Sequence, residues 1–306
     1  MCSICGCSHG EVRVIGEEAA TASRGHDHDG AGLHAHGHDH HHHEHHHSSV
    51  DRKPAGTSRS GDAHADSRRL VEIETNILAK NQMFADENRA RWNGMGLLVL
   101  NLVSSPGAGK TSLLVKSLEE LRDRISVCVI EGDQETCNDA ERIRRTGAPA
   151  VQINTGRGCH LDAHMVGHAA EDLPLAQNGV LFIENIGNLV CPSGFDLGET
   201  RRVVILSVTE GDDKPIKYPD AFASADAVVL SKVDLLPHVD FDEKAAVDFA
   251  RRVNPDIKII RTSTRGAPGI GEWLDWLRTE RCQILETTSR QLEGLLAEAR
   301  KQLASI

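Results

Sequence analysis

The chain has 306 residues, with 34 basic side chains, 45 acidic side chains and a formal net charge of −11 at pH 7. This acidic excess argues against a nucleic-acid partner, because phosphate backbones are bound by clusters of Lys and Arg. No stretch approaches about 18 apolar residues and the N-terminus is polar, so we expect no membrane span and no signal peptide. The eight cysteines are typical of a reducing cytoplasm, where thiols bind metals rather than form disulfides.

The first 66 residues combine many potential metal ligands with few large apolar side chains. Three cysteines open the chain: Cys2, Cys5 and Cys7. Twelve histidines follow between His26 and His47. Imidazole suits nickel, copper and zinc, and thiolates are softer ligands for similar metals. Because such side chains cannot bury enough apolar surface to become ordered, we predict a disordered metal-binding tail and linker over 1–66 and one domain over 67–306.

Apolar runs and amphipathic stretches alternate along the predicted domain. A first helix is expected over 68–91, from the helical spacing of Leu70, Ile73, Ile77 and Phe84. Strands are then predicted over 97–103, 125–130, 150–153, 180–184, 203–208, 227–230 and 257–260. Further helices are predicted over 111–122, 136–145, 161–171, 245–252, 270–278 and 284–303. Apolar strands between helices indicate an α/β fold, with a mostly parallel sheet covered on both faces.

The first strand leads directly into a predicted phosphate-binding loop and a helix. The loop reads Ser104-Ser105-Pro106-Gly107-Ala108-Gly109-Lys110-Thr111 and continues into Ser112. In this context the small residues let backbone N–H groups surround a phosphate, and the helix dipole assists them. We expect Lys110 to reach the β- and γ-phosphates and the Thr111 hydroxyl to bind Mg²⁺. The generic pattern has glycine where this chain has Ser104.

Two acidic residues follow later strands. Asp133 can reach Mg²⁺ directly or through water, and it can alternatively cap the helix that begins near Thr136. We favour the metal role. Glu184 and Gly187 stand where a switch that senses the γ-phosphate is expected. Lys110, Asp133 and Glu184 are therefore the predicted catalytic residues.

The segment Ser231-Lys232-Val233-Asp234 also follows an apolar strand. It predicts which nucleotide base the protein binds. The Asp234 carboxylate can accept hydrogen bonds from guanine N1–H and the 2-amino group, which adenine does not present. Lys232 would lie along the base plane, and Ser263 and Thr264 could offer backbone contacts. The usual motif has asparagine where Ser231 stands, which shortens one support of the guanine loop.

A second metal site is predicted from Cys159, His160 and Cys191. Adjacent residues converge on one ion only in a loop or at the start of a helix. With Cys191 they would form an incomplete tetrahedral set for nickel or zinc, completed by water or a second subunit. The remaining cysteines, Cys128, Cys137 and Cys282, are predicted to be ordinary buried thiols.

These motifs together resemble the HypB family of nickel-insertion GTPases in [NiFe]-hydrogenase maturation. The resemblance covers nearly all of 67–306 and the Cys-rich start, and rests on Cys2, Cys5 and Cys7 and on residues 104–111, 131–134, 158–163, 184–192 and 210–219. It implies a P-loop G domain of the SIMIBI type and slow, Mg-dependent GTP hydrolysis that gates nickel delivery to the hydrogenase large subunit. It also implies a homodimer promoted by GTP and metal, the zinc-bearing nickel chaperone HypA as partner, and nickel storage by the His tract.

Three alternatives were weighed against this interpretation. The urease nickel-insertion GTPase UreG would lack the N-terminal cysteines and would have Cys-Pro-His at its central site. Cys159 and His160, which are adjacent, therefore favour HypB. A passive nickel or zinc storage protein would not need Lys110, Thr111 and Asp234. A P-loop kinase would leave 231–234 without a purpose.

Overall fold

The computed structural model of the chain describes residues 13–15, 60–134 and 138–305. The predicted N-terminal metal ligands (Cys2, Cys5 and Cys7), the His-rich tract between His26 and His47, and Cys137 lie outside the described residues. Most of the predicted tail is therefore not described, and the part of the chain that follows it carries the fold.

The described elements alternate along the chain. The strands are β1 (Arg13–Ile15), β2 (Leu98–Ser104), β3 (Val127–Asp133), β4 (Ala150–Asn154), β5 (Val180–Gly187), β6 (Arg201–Ser207), β7 (Ala227–Ser231) and β8 (Lys258–Arg261). The α-helices are α1 (Ser60–Gly94), α2 (Lys110–Leu121), α3 (Asn138–Arg144), α4 (Ala163–Ala169), α5 (Lys214–Lys217), α6 (Pro219–Ala223), α7 (Glu243–Val253) and α8 (Gly271–Ala304). Short 3₁₀ turns span Ala170–Asp172, Cys191–Gly194 and Val233–His238.

The strands form one sheet in the order β1-β4-β3-β5-β2-β6-β7-β8. The seven strands from β2 to β8 pair in parallel, and β1 pairs antiparallel with β4. This confirms the predicted α/β class and the mostly parallel sheet. Because parallel strands end at the same edge, the loops after β2, β3, β5 and β7 meet there, where doubly wound sheets bind ligands.

Alternate residues of β2 face opposite layers of the core. Leu98, Leu100 and Leu102 pack into a cluster with α2 and α8, whereas Leu97 and Val99 pack into a second cluster with α1 and α4. A third cluster lies under α6 and α7, against β6 and β7. Helices therefore cover both faces, as the long apolar strands predict. Among the described helices, none combines the length and the apolarity that crossing a bilayer requires.

Helix α8 differs from the prediction, because it runs unbroken over the 279–283 gap between two expected helices. Those residues include neither Gly nor Pro, so the loss of apolar spacing does not end the helix. Cys282 is exposed, and its prediction as a buried thiol is wrong. It lies about 200° around the helix from the buried Glu280. Cys128 is buried as predicted.

Helix α1 also differs from the prediction. It begins at Ser60, within the predicted linker, rather than at residue 68. Its part from Glu74 onward belongs to the same compact unit as the sheet. Trp92, near its end, is 1% exposed and packs into the core under β3 and β5.

Candidate functional site

The loop between β2 and α2 borders a cavity of about 450 Å³. Gly107 and Gly109 have φ values of 73° and 101°, a left-handed backbone that favours glycine. Lys110 Nζ donates a 2.9 Å hydrogen bond to Ser104 Oγ. Ser104, which replaces the usual glycine, therefore holds the lysine in place. Burial lowers the Lys110 pKa, while nearby carboxylates, Glu184 foremost, act in the opposite direction.

Two buried carboxylates lie near the carboxyl ends of neighbouring strands and line the same cavity. Glu131 on β3 is the register partner of Glu184 on β5. Thr111 Oγ1 donates a 2.6 Å hydrogen bond to Glu184 Oε1. Burial raises the pKa of Glu184 to about 7, and burial followed by the Glu184 charge raises the pKa of Glu131 to about 8. In the described structure, Oε2 of each is buried without a hydrogen-bond partner.

Asp133 ends β3 and lines the cavity, and its Oδ1 accepts a 2.8 Å hydrogen bond from the backbone N–H of Gln134. Its alternative role as a cap involves 135–137, which lie outside the described residues. The Thr111 hydroxyl, the Asp133 carboxylate and the unpartnered Glu184 oxygen form an oxygen-rich set that fits Mg²⁺. Bound there, Mg²⁺ would neutralise phosphate charge.

The predicted base-binding loop is tied to the phosphate loop by two hydrogen bonds. Ser231 Oγ donates to the Ala108 carbonyl at 2.6 Å. Lys232 Nζ donates to the Gly107 carbonyl at 2.8 Å. Ser231 is therefore long enough to connect the two loops, although the usual motif has asparagine there.

The remaining predicted base contacts lie beyond the cavity wall, which includes Lys232 but not Asp234, Ser263 or Thr264. Asp234 is half-buried, and Ser263 is buried with its Oγ accepting hydrogen bonds from the backbone N–H groups of Arg265 and Gly266. Thr264 is exposed. The Ser263 side chain thus supports its own loop, as does its backbone N–H, which donates to the Gly269 carbonyl at 2.8 Å.

Sequence reasoning assigned no role to two residues at this site. Glu131 was only part of the resembling segment 131–134, although an acid near the end of a buried strand was a usable signal. Lys214 Nζ donates to Ser105 Oγ at 3.1 Å and lies 3.2 Å from a Glu210 carboxylate oxygen. A lysine more than 100 residues after the loop it contacts has no local sequence signal.

Cys159, His160 and Cys191 converge as predicted. Their ligand atoms all lie within 4.8 Å of one another, and no other group of this kind occurs among the described residues. Cys159 and His160 lie in the loop before α4, where the side chains of adjacent residues can converge, and Cys191 begins a 3₁₀ turn. Burial, with a hydrogen bond to Cys191, raises the Cys159 pKa to about 11, and burial lowers the His160 pKa. A metal would therefore displace thiol protons on binding.

Strand β5 leads from one site toward the other. Glu184 lines the cavity, and the strand ends at Gly187, where an added Cβ would lie 3.0 Å from Pro106 Cα of the phosphate loop. Any larger residue here would press the phosphate loop outward by a few tenths of an ångström. Cys191 of the metal triad follows in the next turn. Gly187, which contacts the phosphate loop, therefore lies only a few residues before the metal ligand Cys191.

Comparison with known proteins agrees with this geometry. The family described as "CobW/HypB/UreG, nucleotide-binding domain" matches residues 98–261. Hydrogenase maturation factor HypB of Azotobacter vinelandii is 51% identical over 303 residues, covering 97% of this chain and 100% of the relative. HypB of Escherichia coli K12 is 48% identical over 294 residues, covering 92% and 100%.

A solved structure shows the same likeness. The crystal structure of HypB from Helicobacter pylori in complex with nickel superimposes with a TM-score of 0.62 at 38% identity, covering 67% of this chain and 96% of that one. The family match spans the nucleotide-binding domain, and full-length relatives near 50% identity carry one shared description. By sequence and by fold, the chain belongs to the HypB family of hydrogenase maturation factors.

Proposed function

We propose that this chain is a GTP-hydrolysing metallochaperone that delivers nickel to the large subunit of [NiFe]-hydrogenase in the cytoplasm. The observation that carries the proposal is the course of β5, which takes Glu184 into the nucleotide cavity and is followed directly by Cys191 of the metal triad. A nucleotide-dependent shift of this segment would move a metal ligand. Segments ordered by a γ-phosphate and released on hydrolysis are a known switching element.

In this proposal the cavity binds Mg–GTP. Backbone N–H groups of Ser105 and of residues 107–109 and the side chain of Ser112 surround the phosphates, while Pro106, which has no N–H, shapes the loop. Lys110 moves from Ser104 to the transferring group. Thr111 and Asp133 hold Mg²⁺, and Glu184 acts at the γ-phosphate side. Such catalysis depends on positioning and on electrostatic stabilisation of the transferring phosphoryl group. Asp234 and Lys232, with the backbone of Ser263 and Thr264, select guanine.

The metal triad would carry nickel as cargo. Two thiolates and an imidazole suit nickel and also zinc, and a relative of this chain has been solved in complex with nickel. Three ligands leave room for water or a group from a second subunit to complete the site. The exchange of that fourth ligand offers a route for release to a partner.

We also propose partners for this protein and a source of its nickel. The names of the relatives support a role in hydrogenase maturation. We assign nickel loading to a HypA-type zinc-bearing chaperone, and we expect a homodimer that forms with GTP and metal. Cys2, Cys5 and Cys7 would form an N-terminal metal site, and the His tract would store nickel. Free thiols at Cys159 and Cys191 fit a reducing compartment.

The test compares nickel affinity in two nucleotide states. A chain beginning at Ser60 keeps all of α1 and removes the tail ligands together with the edge strand β1. With GDP or a non-hydrolysable GTP analogue bound, its nickel affinities should differ by at least about 5-fold, near the low end of ordinary coupling energies.

Cys159→Ala or Cys191→Ala should abolish that difference. In the full chain, Cys2→Ala should leave it intact, because that residue belongs to the tail. Equal affinities in the two states would mean that the nucleotide and metal sites merely share a chain.

A further inference from the structure

Asn185 contacts the backbone of both candidate sites. It is 1% exposed and follows Glu184 on β5, where it lines the nucleotide cavity. Its Oδ1 accepts a hydrogen bond from the N–H of Ile186 at 3.0 Å and one from the N–H of Leu161 at 3.3 Å. Leu161 directly follows His160 of the metal triad. The Asn185 side chain therefore connects strand β5 to the loop that carries Cys159 and His160.

The other end of the same amide begins a buried chain of hydrogen bonds. Asn185 Nδ2 donates to Asn101 Oδ1 at 3.3 Å, and Asn101 Nδ2 donates to Glu199 Oε1 at 3.1 Å. Asn101 is 0% exposed in β2, between apolar residues on both sides. A polar side chain buried in an apolar strand needs hydrogen-bond partners, and Asn185 and Glu199 supply them.

This series of hydrogen bonds ends on the loop that carries Cys191. Arg202 Nε donates to Glu199 Oε1 at 2.9 Å, and the two side chains are 8% and 6% exposed. The guanidinium then donates to the carbonyls of Ser193 at 2.9 Å and Phe195 at 2.8 Å. Ser193 lies in the turn begun by Cys191, and the Phe195 ring packs 4.0 Å from the His160 ring. Arg202 thus holds the turn that begins at the triad ligand Cys191.

Burial makes this arrangement cooperative. The hydrogen bonds of Asn185 are buried, and those of Glu199 and Arg202 are partly buried, so breaking one leaves a polar group with little access to water. A shift of Asn185 is therefore accommodated with less cost when its partners move with it. Packed polar networks with few alternative arrangements can carry coupling between sites in this way.

We propose that this buried polar chain transmits the nucleotide state to the metal triad through four positioning residues: Asn185, Asn101, Glu199 and Arg202. The inference rests on the proposed function, since it assumes that the nucleotide state alters nickel affinity. It adds a physical connection beyond the sequence path from Gly187 to Cys191. Asn101 is the most informative of the four residues, because it belongs to neither candidate site and connects Asn185 to Glu199.

The test uses the full chain in a background with Cys2, Cys5 and Cys7 changed to serine. Thiolate-to-nickel charge-transfer absorption then reports the triad, because histidines give no such band. Free nickel is set by a metal buffer, so binding to the His tract does not alter the titration. The half-saturating nickel concentration is measured with GDP and with a non-hydrolysable GTP analogue, and nucleotide affinities are measured in parallel.

In the background chain the two half-saturating concentrations should differ by at least about 5-fold. Asn101→Leu, which keeps the number and branching of the side-chain heavy atoms and removes both hydrogen bonds, should reduce the difference below about 2-fold while both nucleotides still bind. Asn185→Asp is the second variant: it keeps the acceptor for Leu161 and cannot donate to Asn101. It should have the same effect, and it covers the case in which Asn101→Leu does not fold.

Asn254→Leu is the control, since Asn254 donates to the Ala225 carbonyl at 2.9 Å and lines neither the nucleotide cavity nor the metal triad. It should keep the full difference. If both Asn101→Leu and Asn185→Asp also keep it, the polar chain does not transmit the nucleotide state and the inference is overturned. If the background chain itself shows no difference, the proposed gating fails instead, and the two failures are distinguishable.

Discussion

The Thr111 hydroxyl donates a 2.6 Å hydrogen bond to the Glu184 carboxylate. This bond joins the helix after the phosphate loop to the strand that leads to the metal triad. Mg²⁺ bound to the Thr111 oxygen would take the place of that contact and would attract the same carboxylate. The bond is therefore a resting connection between the two halves of the nucleotide site, and it suggests how metal–nucleotide binding reaches β5.

Lys110→Ala should lose at least about 100-fold in GTP turnover, because phosphate-loop lysines stabilise charge that grows on the transferring group. The fold should survive, since removing a buried cation also removes its desolvation cost. Phosphate release and thermal unfolding are the measurements. Lys116→Ala is the control, because Lys116 lies on the same helix with an exposed ion pair to Glu119. Wild-type turnover in Lys110→Ala would contradict the site assignment.

Asp234→Asn should weaken GTP binding by roughly 10-fold or more and should favour XTP. The reason is that an unpaired buried polar group costs about 1–3 kcal/mol. Competition binding with GTP, XTP and ATP measures the change. Asp240→Asn, at an exposed position six residues further on, should leave base preference unchanged. Equal binding of ATP and GTP by the unaltered chain would contradict the guanine prediction.

Stability of the metal-free and nucleotide-free protein should fall as pH rises. Burial raises the pKa of Glu131 to about 8 and that of Glu184 to about 7, from an ordinary value of 4.5. Between these values the folded protein holds protons that the unfolded chain releases, so their stabilising contribution is present in acid and lost toward pH 8.

Thermal unfolding in EDTA should therefore show a midpoint that drops between about pH 5 and pH 8. Glu131→Gln, a neutral side chain of the same shape, should flatten that decline. Glu141→Gln, at an exposed position on α3, serves as the control and should leave the slope intact. An unchanged slope in Glu131→Gln would show that this carboxyl is already ionised in the free protein.

Deletion of residues 26–47 should remove several nickel ions from the stoichiometry and leave the GTP hydrolysis rate unchanged. Imidazoles in that tract supply the ligands, whereas the predicted catalytic groups all lie on the sheet domain. Equilibrium dialysis and phosphate release without added metal measure the two quantities. A changed hydrolysis rate would show that the tract acts on the nucleotide site.

The sequence predicted the contacts that depend on local motifs. The phosphate loop and the adjacent Cys159 and His160 are recognisable because their chemistry requires fixed residue types at fixed spacing. Cys191 was found because it follows a strand end that meets the same sheet edge.

Long-range polar partners could not be predicted in the same way. In the sequence, Asn101 is a polar residue between apolar residues of a strand. Its partners Asn185 and Glu199 are 84 and 98 residues away in the chain. Lys214 reaches Ser105 from 109 residues away. Only the pairing of β2 with β5 and β6 brings such groups together, and no local pattern encodes that pairing.

Strand β8 forms one edge of the sheet, and its composition bears on how copies of the protein meet. It has four residues, with Lys258 and Arg261 exposed at its two ends and Arg261 paired to Glu243 at 2.8 Å. Short edge strands that carry charges at their ends are poor templates for a further strand. Continuation of the sheet from one copy into another, the geometry that starts aggregation, is therefore disfavoured at this edge, and the protein can reach high concentration without self-association by strand addition there.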